Sequence, residues 1–392
     1  ERSFPLDPST NSHFIYIDSE KELLPLVGRM EAAGRLTIDT EADSLHSYYE
    51  KVCLIQLAID GEVFLVDPLA GADLGPFLEH LAAKPLILHG AEYDLRMLRS
   101  SFGFRPRNGV FDTVLAAQLL GYEQFGLAAL VQRFFDVALP KSGQRSDWSR
   151  RPLTEDQLSY AADDTRYLEP IADLLAADLE SRNRTEWHRE WCERMVEATA
   201  EETRRDPEHA WRIKGLRGLD RRQLAYVREI WQWREQQAQR ADRPPFKIMP
   251  NPLIVDLAVW AVKAPTAPLE AGPRLPRHCR GRRLEKLKKA VARARRMGPN
   301  EWPPLRKPRR GTSPGPEPKE LVNALRAEGA RIAGELGIAP SVLAPRAALV
   351  GVARRRPATL SEIREAGSLM RWQAQLLEPS IRRLLKEHPP QA

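Results

Sequence analysis

The chain has 392 residues, room for two or three domains, and its 42% apolar content is ordinary for folded cores. No run approaches the roughly 18–20 apolar residues a membrane span needs, so no membrane partner is expected; the nearest candidate, L-I-V-D-L-A-V-W-A-V, carries Asp256. The net charge of +7 divides unevenly, with 20 Lys/Arg against 33 Asp/Glu in residues 1–200 and 40 against 20 in the rest.

A front half at −13 and a back half at +20 fit a metal-dependent catalytic domain joined to a polyanion-binding tail. The N-terminus E-R-S-F-P-L-D lacks the basic-then-apolar plan of a signal peptide. Cys53, Cys192 and Cys279 are odd in number, far apart and in no C-x-x-C, as expected of reduced thiols in a cytoplasmic protein. No G-x-x-x-x-G-K-[ST] occurs, so neither a nucleotide cofactor nor a helicase is expected.

In chain order, H-F-I-Y-I (13–17) reads as a strand, and Ser19 with Glu22 forms a capping box for a helix to about Ala33. Residues 35–41, 52–59 and 62–67 read as three strands, and Asp60-Gly61 between the last two is a hairpin signal. A helix near 74–83, a buried strand at 85–89, a helix over 91–101 and a short strand at 110–112 follow. From Thr113 the pattern is helical, and Thr154 with Gln157 caps the helix that carries Tyr160 and Asp164. This order predicts an α/β layer fold with an antiparallel hairpin start and parallel additions. Beyond 205 no strand pattern appears: helices are expected at 220–241, 250–263 and 282–297, and three to five more over 319–387. The Pro-, Gly- and Arg-rich stretch 298–318 reads as a linker. The expected domains are 1–204, 205–297 and 319–392, the last two similar in size and readable as a degenerate repeat.

Five side chains of the first domain converge on one chemistry. Asp39 and Glu41 lie i, i+2 at a strand end and share a face. Tyr160 and Asp164 lie i, i+4 on a helix and also share a face, and Asp94 opens a third element. Four carboxylates without a matching Lys/Arg cluster repel one another unless cations sit between them, and hard oxygen ligands in that number suit Mg²⁺ or Mn²⁺. Two ions roughly 3.5–4 Å apart clamp the attacking and leaving oxygens of a phosphodiester. Asp39 is the expected bridging ligand, Glu41 and Asp164 complete one shell, and Asp94 holds the other ion. Tyr160, ordinarily near pKa 10, is expected to orient the attacking water rather than to act as a base. Taken singly each motif is weak: Asp39 also fits a strand-end cap, and Asp94 a carboxylate favoured by a helix N-terminus.

The ordered set resembles the DEDD 3′–5′ exonucleases, in the bacterial ribonuclease D branch. D-T-E-A-D-S-L-H-S-Y-Y-E-K-V-C-L-I-Q-L-A (39–58) resembles their first motif and H-G-A-E-Y-D-L-R-M-L (89–98) the second. V-F-D-T-V-L-A-A-Q-L-L-G (110–121) resembles the segment that follows, and Y-A-A-D-D-T-R-Y-L (160–168) the third. Tyrosine four residues before the last Asp places the chain in the tyrosine subclass. The resemblance implies an RNase H-like exonuclease domain, a mixed sheet flanked by helices, with two divalent metals on Asp39, Glu41, Asp94 and Asp164. Gly90 stands where the wider family often has Asn, which leaves a contact around the second motif open. Residues 210–235 resemble the opening of HRDC domains, and 319–387, with E-L-G-I-A-P-S-V-L-A-P-R, a more divergent copy, so that two all-α HRDC-type domains follow the nuclease.

The implied activity is 3′–5′ exoribonuclease action on tRNA precursors and other small structured RNAs, releasing nucleoside 5′-monophosphates. A DNA exonuclease is the first alternative, since two-metal hydrolysis needs no 2′-OH; a catalytically dead RNA-binding scaffold is the second, disfavoured because all five residues are intact. His46 and Tyr48, on the loop after Glu41, are candidate contacts to the terminal nucleotide. Lys214 and Arg217 are candidate phosphate contacts. His89 reads as a satisfied strand-end residue, and Trp231 and Trp233, two apart on a helix, cannot share a face for base stacking.

Overall fold

The computed structural model describes residues 13–140, 146–200, 208–305 and 318–389. Residues 306–317 of the expected linker, and the expected boundary at 204–205, lie outside the described residues. The described residues fall into two compact units, 13–42, 52–140, 146–200 and 318–389 in one, and 43–51 with 208–305 in the other.

The first unit opens with β1 (Phe14–Ile17), α1 (Glu20–Ala32), β2 (Leu36–Ala42), β3 (Val52–Ile59) and β4 (Glu62–Val66). It continues with α2 (Gly75–Ala83), β5 (Leu86–Leu88), α3 (Glu92–Phe102), β6 (Val110–Asp112) and α4 (Thr113–Leu119). Helices α5 (Leu127–Phe135), α6 (Glu155–Arg166), α7 (Leu168–Ser181) and α8 (Thr185–Ala200) follow. The six strands make one mixed sheet in the order β1-β4-β3-β2-β5-β6. β3 pairs antiparallel with both β2 and β4, while β1, β5 and β6 join in parallel. Every residue of β3 is buried, as befits a central strand covered on both faces. The β3–β4 turn is the expected one: Asp60 and Gly61 both take positive φ, at 50° and 81°, as a two-residue turn with the twist of its flanking strands requires.

Five further helices of the same unit are α13 (Lys319–Leu336), α14 (Pro340–Leu343), α15 (Arg346–Arg355), α16 (Leu360–Gly367) and α17 (Arg371–Glu387), numbered in chain order after the four helices of the other unit. Their apolar faces do not close a core of their own. Leu325, Ile332, Leu349, Ile363, Trp372 and Leu377 share one cluster with Leu119, Leu130, Ile171 and Leu175 of α4, α5 and α7. Arg184 stitches the seam by donating to the carbonyls of Leu119 and Leu336, each at 2.5 Å. The Trp187 and Trp372 rings stack 4.7 Å apart. The backbones come so close that a Cβ on Gly121 would lie 1.8 Å from the Gly337 carbonyl oxygen, a position only glycine tolerates.

The second unit contains α9 (Arg221–Ala241), α10 (Pro245–Ile248), α11 (Asn251–Lys263) and α12 (Arg282–Arg296), packed around Tyr226, Trp233, Leu257 and Leu287. Asp220 caps α9 reciprocally with Gln223. Residues 298–305, the described part of the Pro-rich stretch, are bound to this bundle. Arg221 donates to the carbonyls of Pro299 and Trp302, and Arg228 to that of Glu301.

Candidate active site

Strand β2 carries two carboxylates to the same face because its side chains alternate: Leu36 and Ile38 are buried on one row, and Asp39 and Glu41 emerge half-buried on the other. Opposite them in β3 stand Gln56 and Leu54. A register shift between Glu41 and Ala42 ends the regular pairing just after the second carboxylate. The third group comes from α6, fixed at its start by Thr154 and Gln157 in a reciprocal cap. One carboxylate oxygen each from Asp39, Glu41 and Asp164 lies within 4.8 Å of the others.

Asp94 enters in the first turn of α3 and is buried. It accepts from the Thr40 hydroxyl at 2.6 Å, so the strand residue between the two β2 carboxylates holds it. Tyr160, one turn before Asp164 on α6, hydrogen-bonds that carboxylate, and its ring lies 6.2 Å from that of Trp148 in a small cluster with Cys53 and Leu65.

The electrostatics define what this arrangement requires. Burial, then repulsion from Asp94, Asp164 and Glu41, holds the Asp39 carboxyl well above the usual carboxylate range. Burial and the repulsion of Asp164 and Asp94 push Glu41 to about 9. Burial raises Asp164 to about 7, against the Tyr160 hydrogen bond, and Asp94 to about 6, against the Thr40 hydrogen bond. None of the four has a Lys, Arg or His within ion-pair distance among the described residues. Buried oxygen donors with no cation of their own are the donor set of a hard divalent ion. Burial and the Asp164 and Glu41 carboxylates raise the Tyr160 hydroxyl far above its ordinary value, so it is a hydrogen-bond donor at neutral pH.

Asp112, which the sequence reading passed over as a site residue, braces this corner. Its carboxylate accepts from Val114 and Leu115 as the cap of α4, and from the backbone of Gly90 at 3.1 Å and Ala91 at 2.8 Å. It therefore fixes the turn that launches α3 and Asp94. Gly90 sits at φ 73°, and its N–H is one of the two that donate to Asp112 from this turn. The available signal was the N-cap pattern in V-F-D-T. His89 is a structural residue, its Nδ1 2.8 Å from the Thr113 hydroxyl and its pKa lowered by burial to about 4.

The four candidate substrate contacts belong to the second unit. Tyr48 packs on the α9 bundle; its hydroxyl lies 3.2 Å from both Glu235 and Gln239, and its N–H donates to Asp242 at 2.9 Å. The loop is knotted by buried Asp43, which accepts from the Ser47 hydroxyl and pairs with the Lys51 ammonium. His46 is half-buried in that loop, its N–H donating to the Asp43 carbonyl. Lys214 and Arg217 are exposed in the turn before α9 and have no carboxylate partner among the described residues.

Fold and site together define a carboxylate-dependent 3′–5′ exonuclease with an appended helical module. Residues 14–180 match the family model of the 3′–5′ exonuclease domain, and residues 223–265 that of the HRDC domain. Ribonuclease D of Pseudomonas paraeruginosa is 35% identical over 315 residues, 79% of this chain and 81% of that one. Ribonuclease D of Xanthomonas oryzae is 32% identical over 377 residues, 92% and 96% of the two chains. The crystal structure of Escherichia coli RNase D, described as an exoribonuclease involved in structured RNA processing, superposes with a TM-score of 0.69 at 24% identity, covering 96% of this chain and all of that one, and shares the fold. The chain belongs to the ribonuclease D family, whose activity is that of a 3′–5′ exoribonuclease.

Proposed function

We propose that this exoribonuclease trims tRNA precursors and other small structured RNAs in the cytoplasm, one nucleoside 5′-monophosphate at a time. The observation that carries the reading is the convergence of Asp39, Glu41 and Asp164 within 4.8 Å, beside buried Asp94, with no protein cation among them. Two divalent ions, Mg²⁺ or Mn²⁺, would supply charge neutralisation and a water acidic enough to attack near neutral pH. Asp39, Glu41 and Asp164 would hold such ions together with Asp94, and Asp39, whose carboxylate feels all three of the others, stands at the centre of the set.

Tyr160, its hydroxyl kept protonated by burial and the carboxylates around it, would orient the attacking water by hydrogen bonding and would not serve as its base. Asp112 acts through the Gly90–Ala91 backbone to hold Asp94 in place. Lys214 and Arg217, exposed and uncompensated, serve as phosphate contacts. His46 and Tyr48 border the site along the chain; Tyr48 serves chiefly to anchor its loop, because Glu235 and Gln239 already engage its hydroxyl. The helices of 318–389 form a second, divergent HRDC-like segment whose apolar faces close on the nuclease helices and not on a core of their own.

The test is digestion of a 3′-extended tRNA with Mg²⁺, with Mn²⁺ and with EDTA, resolving products at single-nucleotide steps against a DNA strand of equal length. Metal-dependent, stepwise shortening of the RNA is expected. Preference for the DNA strand would replace the RNA reading with a DNA exonuclease.

A further inference from the structure

Helix α12 is uncapped at its start, with Gly281 as N-cap and no side chain accepting from its first turn. Its sequence R-R-L-E-K-L-K-K-A-V-A-R-A-R-R buries Leu287, Ala290, Val291 and Ala294 in the core of the second unit. The opposite side is a single stripe: Arg282, Lys286, Lys289, Arg293 and Arg296 are all exposed. Their spacing alternates four and three residues, which keeps them on one face. At a rise of about 1.5 Å per residue the stripe is about 21 Å long, with a cation roughly every 5 Å.

Stability does not account for this placement. A helix N-terminus favours acidic side chains, yet Arg282 and Arg283 open the first turn of α12, with Glu285 as its one acid. Like charges three and four residues apart repel along the whole stripe. Only Arg293 is neutralised, by Glu229 at 2.8 Å. Arg282, Lys286, Lys289 and Arg296 have no carboxylate partner among the described residues, whereas Lys288, off the stripe, is paired with both Glu270 and Glu285. Glu229 thus takes one cation of the stripe, and Glu285, the one acid on α12, pairs with Lys288 and leaves the other four uncompensated.

We infer that the Arg282–Lys286–Lys289–Arg296 face of α12 is a docking surface for the sugar–phosphate backbone of RNA. The inference rests on the proposed RNA substrate and assigns the grip on it to a site other than Lys214 and Arg217. A straight row of cations with no exposed aromatic among them reads phosphate, not base, so the contact is independent of sequence. Its cations are spaced on the scale of successive phosphates along a strand, and each one engaged releases condensed counterions.

The experiment uses the full chain in EDTA, which stops cleavage, with a fluorescent 3′-extended tRNA titrated between about 50 and 200 mM salt, the range where such contacts register. Replacing the four residues together (Arg282→Gln, Lys286→Gln, Lys289→Gln, Arg296→Gln) leaves the buried face of α12 intact and keeps good helix formers throughout. At about 0.7–0.9 per contact, the slope of log affinity against log salt should fall by about 3, so that wild-type affinity drops about 60-fold further than the variant's across that range. The charge-preserving set (Arg282→Lys, Lys286→Arg, Lys289→Arg, Arg296→Lys) should bind as wild type. If the four-fold variant melts early, Lys286→Gln with Lys289→Gln gives the same reading with a slope change of about 1.5. A folded variant with the wild-type slope overturns the docking surface while metal-dependent trimming by the wild type leaves the RNA reading standing. A wild type that neither binds nor trims RNA brings down both.

Discussion

Asp39 and Tyr160 separate what the site holds from what it does. Asp39→Asn removes the most crowded of four mutually repelling carboxylates, so it should abolish cleavage while raising the melting temperature of the metal-free protein. Retention of more than about a tenth of wild-type turnover, where ion-supported hydrolysis should be worth several kcal/mol, would place the chemistry elsewhere. Tyr160→Phe keeps the ring against Trp148 and deletes only the donor. Turnover should fall by roughly 10²-fold, as for a positioned proton-handling group, with metal affinity retained; equal loss of both would make the hydroxyl structural. The same carboxylates give a pH signature. Their folded-state pKa values, about 6 for Asp94, about 7 for Asp164 and about 9 for Glu41, lie above ordinary carboxylate values near 4. The folded state therefore prefers them protonated, and the stability this contributes is complete below about pH 4 and lost as pH climbs through 6 to 9. Melting curves in EDTA should fall over that window, and the increment restored by Mg²⁺ or Mn²⁺ should grow with pH, because metal displaces protons. An increment independent of pH would mean the ions bind at other groups.

At the scale of elements, the β-rich front was legible because its signals are local. Alternation in 35–41, Asp60-Gly61 at the hairpin and the Thr154/Gln157 cap each state their own geometry, and β2, the β3–β4 turn and α6 form accordingly. The carboxylate pairs were legible for the same reason, since i, i+2 on a strand and i, i+4 on a helix fix a shared face before any fold is known. Less visible were the groups that act through the backbone. Asp112 shows in sequence only as an N-cap, and nothing local tells that its carboxylate also reaches back to Gly90 through the capping oxygen and to Ala91 through the other. Likewise Thr40, flanked by two ligands, is not marked as the donor to Asp94. Asp112→Ala should strand four backbone N–H groups, costing about 3 kcal/mol or more from a lost cap and buried charged acceptor. Asp112→Asn keeps one oxygen and should cost less stability, yet still lower kcat more than KM by loosening the start of α3. Matched kinetics for wild type and Asp112→Asn would leave that corner a purely structural brace.

For the whole molecule, charge and composition divide the chain into an acidic front and a basic back, but packing divides it differently. Apolar faces carry no address: the stripes of α13, α15 and α17 read as a self-contained helical module, while their partners turn out to be α4, α5 and α7, about 140 to 270 residues earlier. A fragment ending at residue 204 would therefore expose Leu119, Leu130, Ile171 and Leu175, and it is not expected to remain a soluble nuclease. The consequence can be tested in the full chain at Trp372, which stacks on Trp187 across the seam and is almost fully buried. Trp372→Ala should cost about 3–5 kcal/mol, the range for a deleted core tryptophan. Because the core is continuous, the loss should appear as earlier unfolding of the nuclease itself, with RNA trimming and the 318–389 helices failing at one lowered temperature. A double-mutant cycle with Trp187→Ala should return a coupling of about 0.5–1.5 kcal/mol for the stacked pair. If the variant instead melts in two steps, with nuclease activity surviving to the wild-type temperature, the C-terminal helices are a module merely resting on the nuclease. A single shifted transition shows that they are part of its core.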